Sequence, residues 1–285
     1  SFSVTLCYPA VSHVGAIPPR FLDAGAGVIK QDPNFRESWW MEFIPVESQL
    51  IARALSEAPI ARAASPCPVV LFSAGWTGWT WRQTSTKAQE LASHGYVVVW
   101  VTHYDATWAC LPNQRVTYQT DDKVPMTAPG LQERLRDLRF VLEQLQQWNQ
   151  PDGEFAGCLD LEAVAAIGFS WGTYSAAEFC RLEPRCRAVI QLDCDAGAET
   201  APELARLGLQ KPILILNRAD NVKTDLYDKA IKDAVWAQIS GSAHGHFSDG
   251  YWINFPSDLD RSREIVLTLR RSEERRVGKE CRSRW

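Results

Sequence analysis

The chain has 285 residues, 46% of them hydrophobic and 22% charged, with 30 Lys and Arg against 34 Asp and Glu for a formal net charge of −4. This is the composition of a globular protein with a large core, and it excludes a low-complexity or fibrous chain. No run of about 18 apolar residues is present to span a membrane, and an acidic body without a basic patch argues against nucleic acid as a partner.

Residues 2–8 (FSVTLCY) alternate apolar and polar side chains, which predicts an antiparallel edge strand with one wet face. Residues 11–45, with Pro18, Pro19, Gly25, Gly27, Trp39 and Trp40, read as irregular, and 48–63 as a short helix stopped or kinked at Pro59. From Pro68 the pattern becomes regular. VVLFS at 69–73 predicts a strand, a helical stretch runs to Ser93, and YVVVWVTH at 96–103 predicts a second strand. Such continuous β-branched runs belong to strands buried on both faces. A long amphipathic helix is predicted over 129–148, its stripe carried by Leu131, Leu135, Leu138, Val141, Leu142 and Leu145. A strand at 163–168, a helix from Trp171, strands at 187–192, 212–216 and 234–239, and a last helix at 258–270 complete the series. The alternation implies an α/β fold, a mostly parallel sheet with helices on both faces.

The sharpest signal lies between the strand AVAAI and the helical TYSAAEFCRL: Gly168-Phe169-Ser170-Trp171-Gly172, a G-x-S-x-G. A serine at a tight strand-to-helix turn sits in strained backbone, and glycines on either side remove the Cβ atoms that would collide with neighbouring chain. The hydroxyl is thereby presented above the sheet as a candidate nucleophile. A serine hydroxyl needs a base at neutral pH. Of the five His, His13 lies in the irregular region, His94 precedes a strand at its amino end, and His103 ends a strand on the correct edge but before the serine. His244 and His246 follow the strand AVWAQIS, after Ser170, in the chain order this arrangement uses, and His244 is favoured. The pair has no evident further ligands for a metal. For the acid that orients the base, spacing leaves Asp193 and Asp220 level, each following a strand, with Asp195 behind them. The oxyanion donors are expected to be the backbone N–H of Trp171 and that of Trp76, in the loop SAGWTG after the first buried strand.

Taken together, LCYPA, VVLFSAGWTG, ELASHGYVVVWVTHYD, RLRDLRFVLEQL, VAAIGFSWG, AVIQLD and GSAHGHFSD, in that order over residues 4–265, resemble the plasma-type (group VII) platelet-activating factor acetylhydrolases. These are lipoprotein-associated phospholipases A2 of the α/β-hydrolase superfamily. The resemblance implies an α/β-hydrolase fold and a serine esterase without metal or cofactor, acting on a small ester or phospholipid such as alkyl-acetyl-glycerophosphocholine. It implies Asp193 as the acid and His244 as the base. Departures bear on substrate: Phe169 stands where His is usual, the oxyanion loop reads SAGWTG rather than SHGLG, and Thr173 replaces a glycine. The family's lipid-surface helix is poorly preserved at 50–64, where Arg53, Glu57 and Arg62 interrupt Leu50, Ile51, Leu55 and Ile60. That weakens the case for docking on a lipid surface. The other esterase readings are a dienelactone-hydrolase-like or polyester-hydrolase-like enzyme, which Asp220 as the acid would favour, and the non-enzyme alternative is an α/β-fold binding protein.

Cys7, Cys67, Cys110, Cys158, Cys180, Cys186 and Cys194 show no metal-type spacing and are expected mostly as buried free thiols, with Cys180 and Cys186 a possible disulfide. The final run, RSEERRVGKECRSRW at 271–285, lacks apolar periodicity, resembles translated sequencing-adapter DNA and is expected to be a non-native tail. It holds six basic and three acidic residues, so without it 24 bases face 31 acids, a net charge of −7. The start at Ser1 suggests a truncated N-terminus, and 1–270 is expected to be a single domain.

Overall fold

A computed structural model of the chain describes residues 3–11, 54–55, 58–75, 85–103, 108–110, 116–118, 127–193, 200–220 and 225–249. Its core is a seven-stranded sheet of order β1-β3-β2-β6-β7-β8-β9, formed by Ser3–Cys7 (β1), Cys67–Ser73 (β2), Val97–Thr102 (β3), Leu159–Phe169 (β6), Cys186–Leu192 (β7), Ile213–Arg218 (β8) and Ala234–Ile239 (β9). β1 pairs antiparallel with β3 at one edge, as its alternating pattern predicts, and every other pairing in this sheet is parallel. A hairpin of Trp108–Cys110 (β4) and Val116–Tyr118 (β5) forms a separate two-stranded sheet.

The β-branched runs lie where period-two alternation sends their side chains into two cores. Val69, Leu71, Val97, Val99 and Val101 pack on one face of the sheet, and Val70, Phe72, Val98 and Trp100 on the other. The first face is covered by the helices Ala128–Trp148 (α2) and Gly172–Leu182 (α3), through Leu131, Leu135, Leu138, Leu142, Ala176 and Phe179 among others. The second face carries the helix Ser85–Ser93 (α1), which contributes Ala88, and Phe247 from a short 3₁₀ turn, His244–Phe247. Shorter helices at Pro202–Leu207 (α4) and Asp225–Asp228 (α5) flank β8 in the chain.

α2 begins where Thr127 accepts a hydrogen bond from the Gly130 amide, with a proline in the first turn, and its buried positions 131, 134, 135, 138, 141, 142 and 145 recur at helical spacing. The first turn of α1 is held from a distance: Asp249 accepts from the Thr86 amide at 2.8 Å, the Thr86 hydroxyl at 2.5 Å and the Ser85 hydroxyl at 3.1 Å. That carboxylate ties the segment just after the 3₁₀ turn to the helix beneath it.

The expected helix over 48–63 is corrected in its described part. Ala10 and Ile60 form an antiparallel bridge, with Val11 N–H donating to Pro59 O and Ala61 N–H to Pro9 O. Pro59 has no N–H to give a helix, and its carbonyl serves the neighbouring extended segment instead. β6 also starts earlier than its apolar run, because Leu159 and Asp160 pair with Cys67 and Pro68 before a register shift. Cys7, Cys67, Cys158, Cys180 and Cys186 are free thiols. Burial pushes Cys7 up to about 11, and a hydrogen bond with Cys186 lowers Cys180. The side chain of Cys110, Cys194, the expected helix at 258–270 and the run 271–285 lie outside what is described of the chain. No described helix is long and apolar enough to cross a membrane.

Candidate active site

The carboxyl ends of β2, β6, β7 and β8, with the turn after β9, bring the candidate residues together. Ser170 follows β6 with φ 52° and Asp193 follows β7 with φ 48°, and these are the two non-glycine residues of positive φ among the described residues. Side chains in this left-handed region carry a steric cost, so both positions are held there by surrounding contacts. Ser170 N–H donates to Leu192 O at 3.0 Å, and Ser170 O accepts from the Thr173 amide and hydroxyl at 2.9 and 2.8 Å. The flanking glycines are required by packing. A methyl on Gly168 would overlap the Gly172 carbonyl, and one on Gly172 would overlap the Ser73 carbonyl. The elbow is therefore pressed directly onto the end of β2.

His244 opens the 3₁₀ turn, and its Nδ1 lies 2.6 Å from Asp193 Oδ2. Its ring stacks on Phe169, the residue before the serine, with centroids 4.9 Å apart and planes at 25°. The Asp193 side chain is fully buried while that of His244 is 43% exposed, so the imidazole has one nitrogen tied inward and one edge open. Asp193 also accepts from the Arg218 amide at 2.9 Å and from Arg218 Nη1 at 3.2 Å. Burial pushes the Asp193 carboxyl up. The hydrogen bonds from His244 and the Arg218 amide, and the charges of both partners, outweigh it and hold the group below its usual range.

The other candidates are elsewhere. Asp220 is 78% exposed and accepts from Arg218 Nε at 2.8 Å, so it meets His244 only across an open cavity of about 400 Å³ between Arg218–Asp220 and Gly241–His244. His246 is buried, and its Nδ1 accepts from the Ala243 amide at 2.6 Å. His94 is on the surface, donating to Glu90 O. Trp171 is buried against Tyr174 with ring centroids 4.9 Å apart. His13, Trp76 and Asp195 lie outside the described residues, while Ala74 and Gly75, just before Trp76, are in place against the elbow. Among the described residues no cluster of three or more His, Cys, Asp or Glu is arranged to hold a metal ion.

No protein-family model and no curated protein matches the chain. Among solved structures it is similar to a ferulic acid esterase from Streptomyces cinnamoneus, with a TM-score of 0.69 and 26% identity over 88% of this chain and 69% of that one. The chain has the α/β-hydrolase fold. A weaker likeness, TM-score 0.47 at 17% identity over 63% of this chain and 72% of the other, is to a dienelactone-hydrolase-like promiscuous phosphotriesterase from metagenomic libraries. The likeness to the ferulic acid esterase supports an esterase-type hydrolase.

Three groups around the site are not among the residues to which the sequence reading gave a role. Arg218 is the second holder of Asp193. Arg134 is fully buried on α2 and donates to the carbonyls of Ala74 and Gly75 at 2.5 and 3.3 Å, with its guanidinium 5.5 Å from the centre of the Trp171 ring. His103, set aside above for its chain order, joins Asp137 to Ser73 beneath the site: Nδ1 lies 2.8 Å from Asp137 Oδ2 and Nε2 lies 2.8 Å from Ser73 Oγ, which is 2.7 Å from Ser175 Oγ. Ser73 and His103 are completely buried, so this second Ser-His-Asp grouping has no access to substrate. Arg134 did leave a signal, as an arginine three residues after Leu131 and four before Leu138, on the apolar stripe itself.

Proposed function

We propose that the protein is a serine carboxylic ester hydrolase in which Ser170 is the nucleophile, His244 the general base and Asp193 the residue that orients it. The observation that carries the reading is the 2.6 Å contact of His244 Nδ1 with a buried Asp193, beside a serine held at positive φ between two glycines that admit no Cβ. In the proposed reaction Ser170 Oγ attacks the ester carbonyl as its proton passes to His244 Nε2, and the carbonyl oxygen becomes an oxyanion facing the N–H groups of Trp76 and Trp171. The intermediate collapses, the alkoxide leaves with the proton from His244, and an acyl-serine remains. Water then repeats the cycle from the other side, giving the carboxylic acid and free Ser170. Asp193 keeps Nδ1 protonated and balances the imidazolium, and neither metal nor cofactor takes part. We place the whole reaction within one domain over 1–270, with 271–285 as a non-native tail.

The substrate we propose is a short-acyl ester, by the resemblance to enzymes that remove the sn-2 acetyl group of alkyl-acetyl-glycerophosphocholine. The likeness to a ferulic acid esterase supports a second substrate class, esters of aromatic acids. One assay set tests both levels. Ser170→Ala should lose fluorophosphonate labelling and about 10⁶-fold of ester turnover while its circular dichroism is unchanged, and labelling that persists would sink the nucleophile. Initial rates on acetyl phospholipids of varied sn-2 length, p-nitrophenyl esters and methyl ferulate then decide between the substrate classes.

A further inference from the structure

The loop that leaves β2 passes directly over the elbow. A Cβ built on Gly75 would lie 3.2 Å from the Ser170 Cβ, so residues 74–75 have little room to shift relative to the nucleophile. The carbonyl of Gly75 and the N–H of the next residue belong to one planar trans amide and point in opposite directions. Whatever grips that carbonyl therefore aims the N–H on the other side. Arg134 grips it, and with the same rigid fork it grips the Ala74 carbonyl, so two successive amide planes are set by one side chain. The guanidinium is buried, where a charge polarises its partners more strongly than in water. It also lies over the ring of Trp171, the residue carrying the other proposed donor. One helical turn further along α2, Asp137 holds His103, His103 meets Ser73, and Ser73 meets Ser175 on the helix that the elbow opens. α2 thus fastens residues 73, 74 and 75 in sequence.

We propose that Arg134 is a positioning residue for ester hydrolysis: it orients and polarises the amide after Gly75, so that its N–H faces the charge developing on the substrate carbonyl oxygen. The inference rests on the serine-esterase reading above, with that N–H as an oxyanion donor. In this role Arg134 acts on the reaction through that amide rather than on the substrate directly.

The test compares wild type with Arg134→Met and Arg134→Lys in kcat and KM for p-nitrophenyl acetate. It also compares the Ki of an aryl trifluoromethyl ketone, which adds to the serine as a tetrahedral oxyanion, with that of a non-covalent product carboxylate. All are measured at a temperature where each variant is folded. Arg134→Met should lose about 10²-fold in kcat with KM within about threefold, and the ketone should weaken in parallel while the carboxylate does not. Arg134→Lys keeps the charge but not the fork and should fall between. If Arg134→Met does not fold, Arg134→Lys carries the same comparison. A folded variant with wild-type kcat overturns the proposal, and so does a loss shared equally by the ketone and the carboxylate, which would mark general distortion. Wild-type protein that neither turns over esters nor binds the ketone would sink the esterase reading instead, before Arg134 is changed.

Discussion

At the scale of single residues, the two carboxylates that sequence spacing left level are separated by what each one touches. Asp193 is fully buried and bonded to His244, while Asp220 is largely exposed and bonded to Arg218. An Asp-to-Asn change at the orienting acid of a serine hydrolase preserves shape but favours the wrong imidazole tautomer, a loss of about 10⁴ in kcat in a serine protease that serves as the standard case. Asp193→Asn should show a loss of that order. Asp220→Asn should stay within about threefold of wild type, since an exposed ion pair contributes roughly 0–1 kcal/mol. Steady-state kinetics on both folded variants decide the matter, and a dead Asp220→Asn beside an active Asp193→Asn would transfer the role. The Asp220 carboxylate is engaged by Arg218, and Asp225–Asp228 is the described helix that follows it in the chain. What spacing could not supply at this scale was Arg218, whose amide and guanidinium both reach Asp193 from the next strand. Pairing across strands is a tertiary fact, and the local string NRAD carries no trace of it.

At the scale of elements, the strands and helices that bear the site were legible because their signals were strong and local. β2, β3 and β7 to β9 fall within a few residues of their apolar runs, and α2 follows its stripe from end to end. The β4–β5 hairpin and α4 were not anticipated, being three and six residues long and too short to establish a period. The elbow was legible as a motif, but the reason for its second glycine is found only in the packing of α3 against β2. Gly172→Ala would drive a methyl into the Ser73 and Ala74 carbonyls, both backbone and neither free to rotate away. We expect a destabilisation of about 2 kcal/mol or more, read as a lower thermal midpoint, together with reduced turnover in the fraction that folds, because the same shift moves the oxyanion loop away from Ser170. A variant with wild-type stability would show that the β2 end yields more readily than its contacts imply.

At the scale of the whole molecule, the site also contributes to how the fold responds to acid. The Asp193 carboxyl is held below its ordinary value of 3.8 in the folded protein and returns to that value on unfolding. Its ionised form therefore stabilises the fold fully above the ordinary value, and that contribution is lost as the pH falls through the lower folded value. Unfolding midpoints measured from about pH 5 down to about pH 2 should fall more steeply for wild type than for Asp193→Asn, which has no such proton to take up. Parallel curves would show that this carboxylate contributes nothing to acid stability. A second buried array spans four elements at once, running from Asp137 on α2 through His103 after β3 and Ser73 at the end of β2 to Ser175 on α3, which donates on to Gly172 O at 3.0 Å. Each hydroxyl has one hydrogen to give, so these contacts form a directed chain. If Ser175 points its hydrogen at Gly172, Ser73 must point at Ser175 and His103 Nε2 must donate to Ser73. If Ser73 points instead at His103 Nε2, Ser175 must turn to Ser73 and the Gly172 carbonyl loses that donor. Reversing one hydroxyl reverses its neighbour, so the array is a polar wire with two senses, and the sense chosen decides whether the carbonyl of the second elbow glycine receives a hydrogen from it.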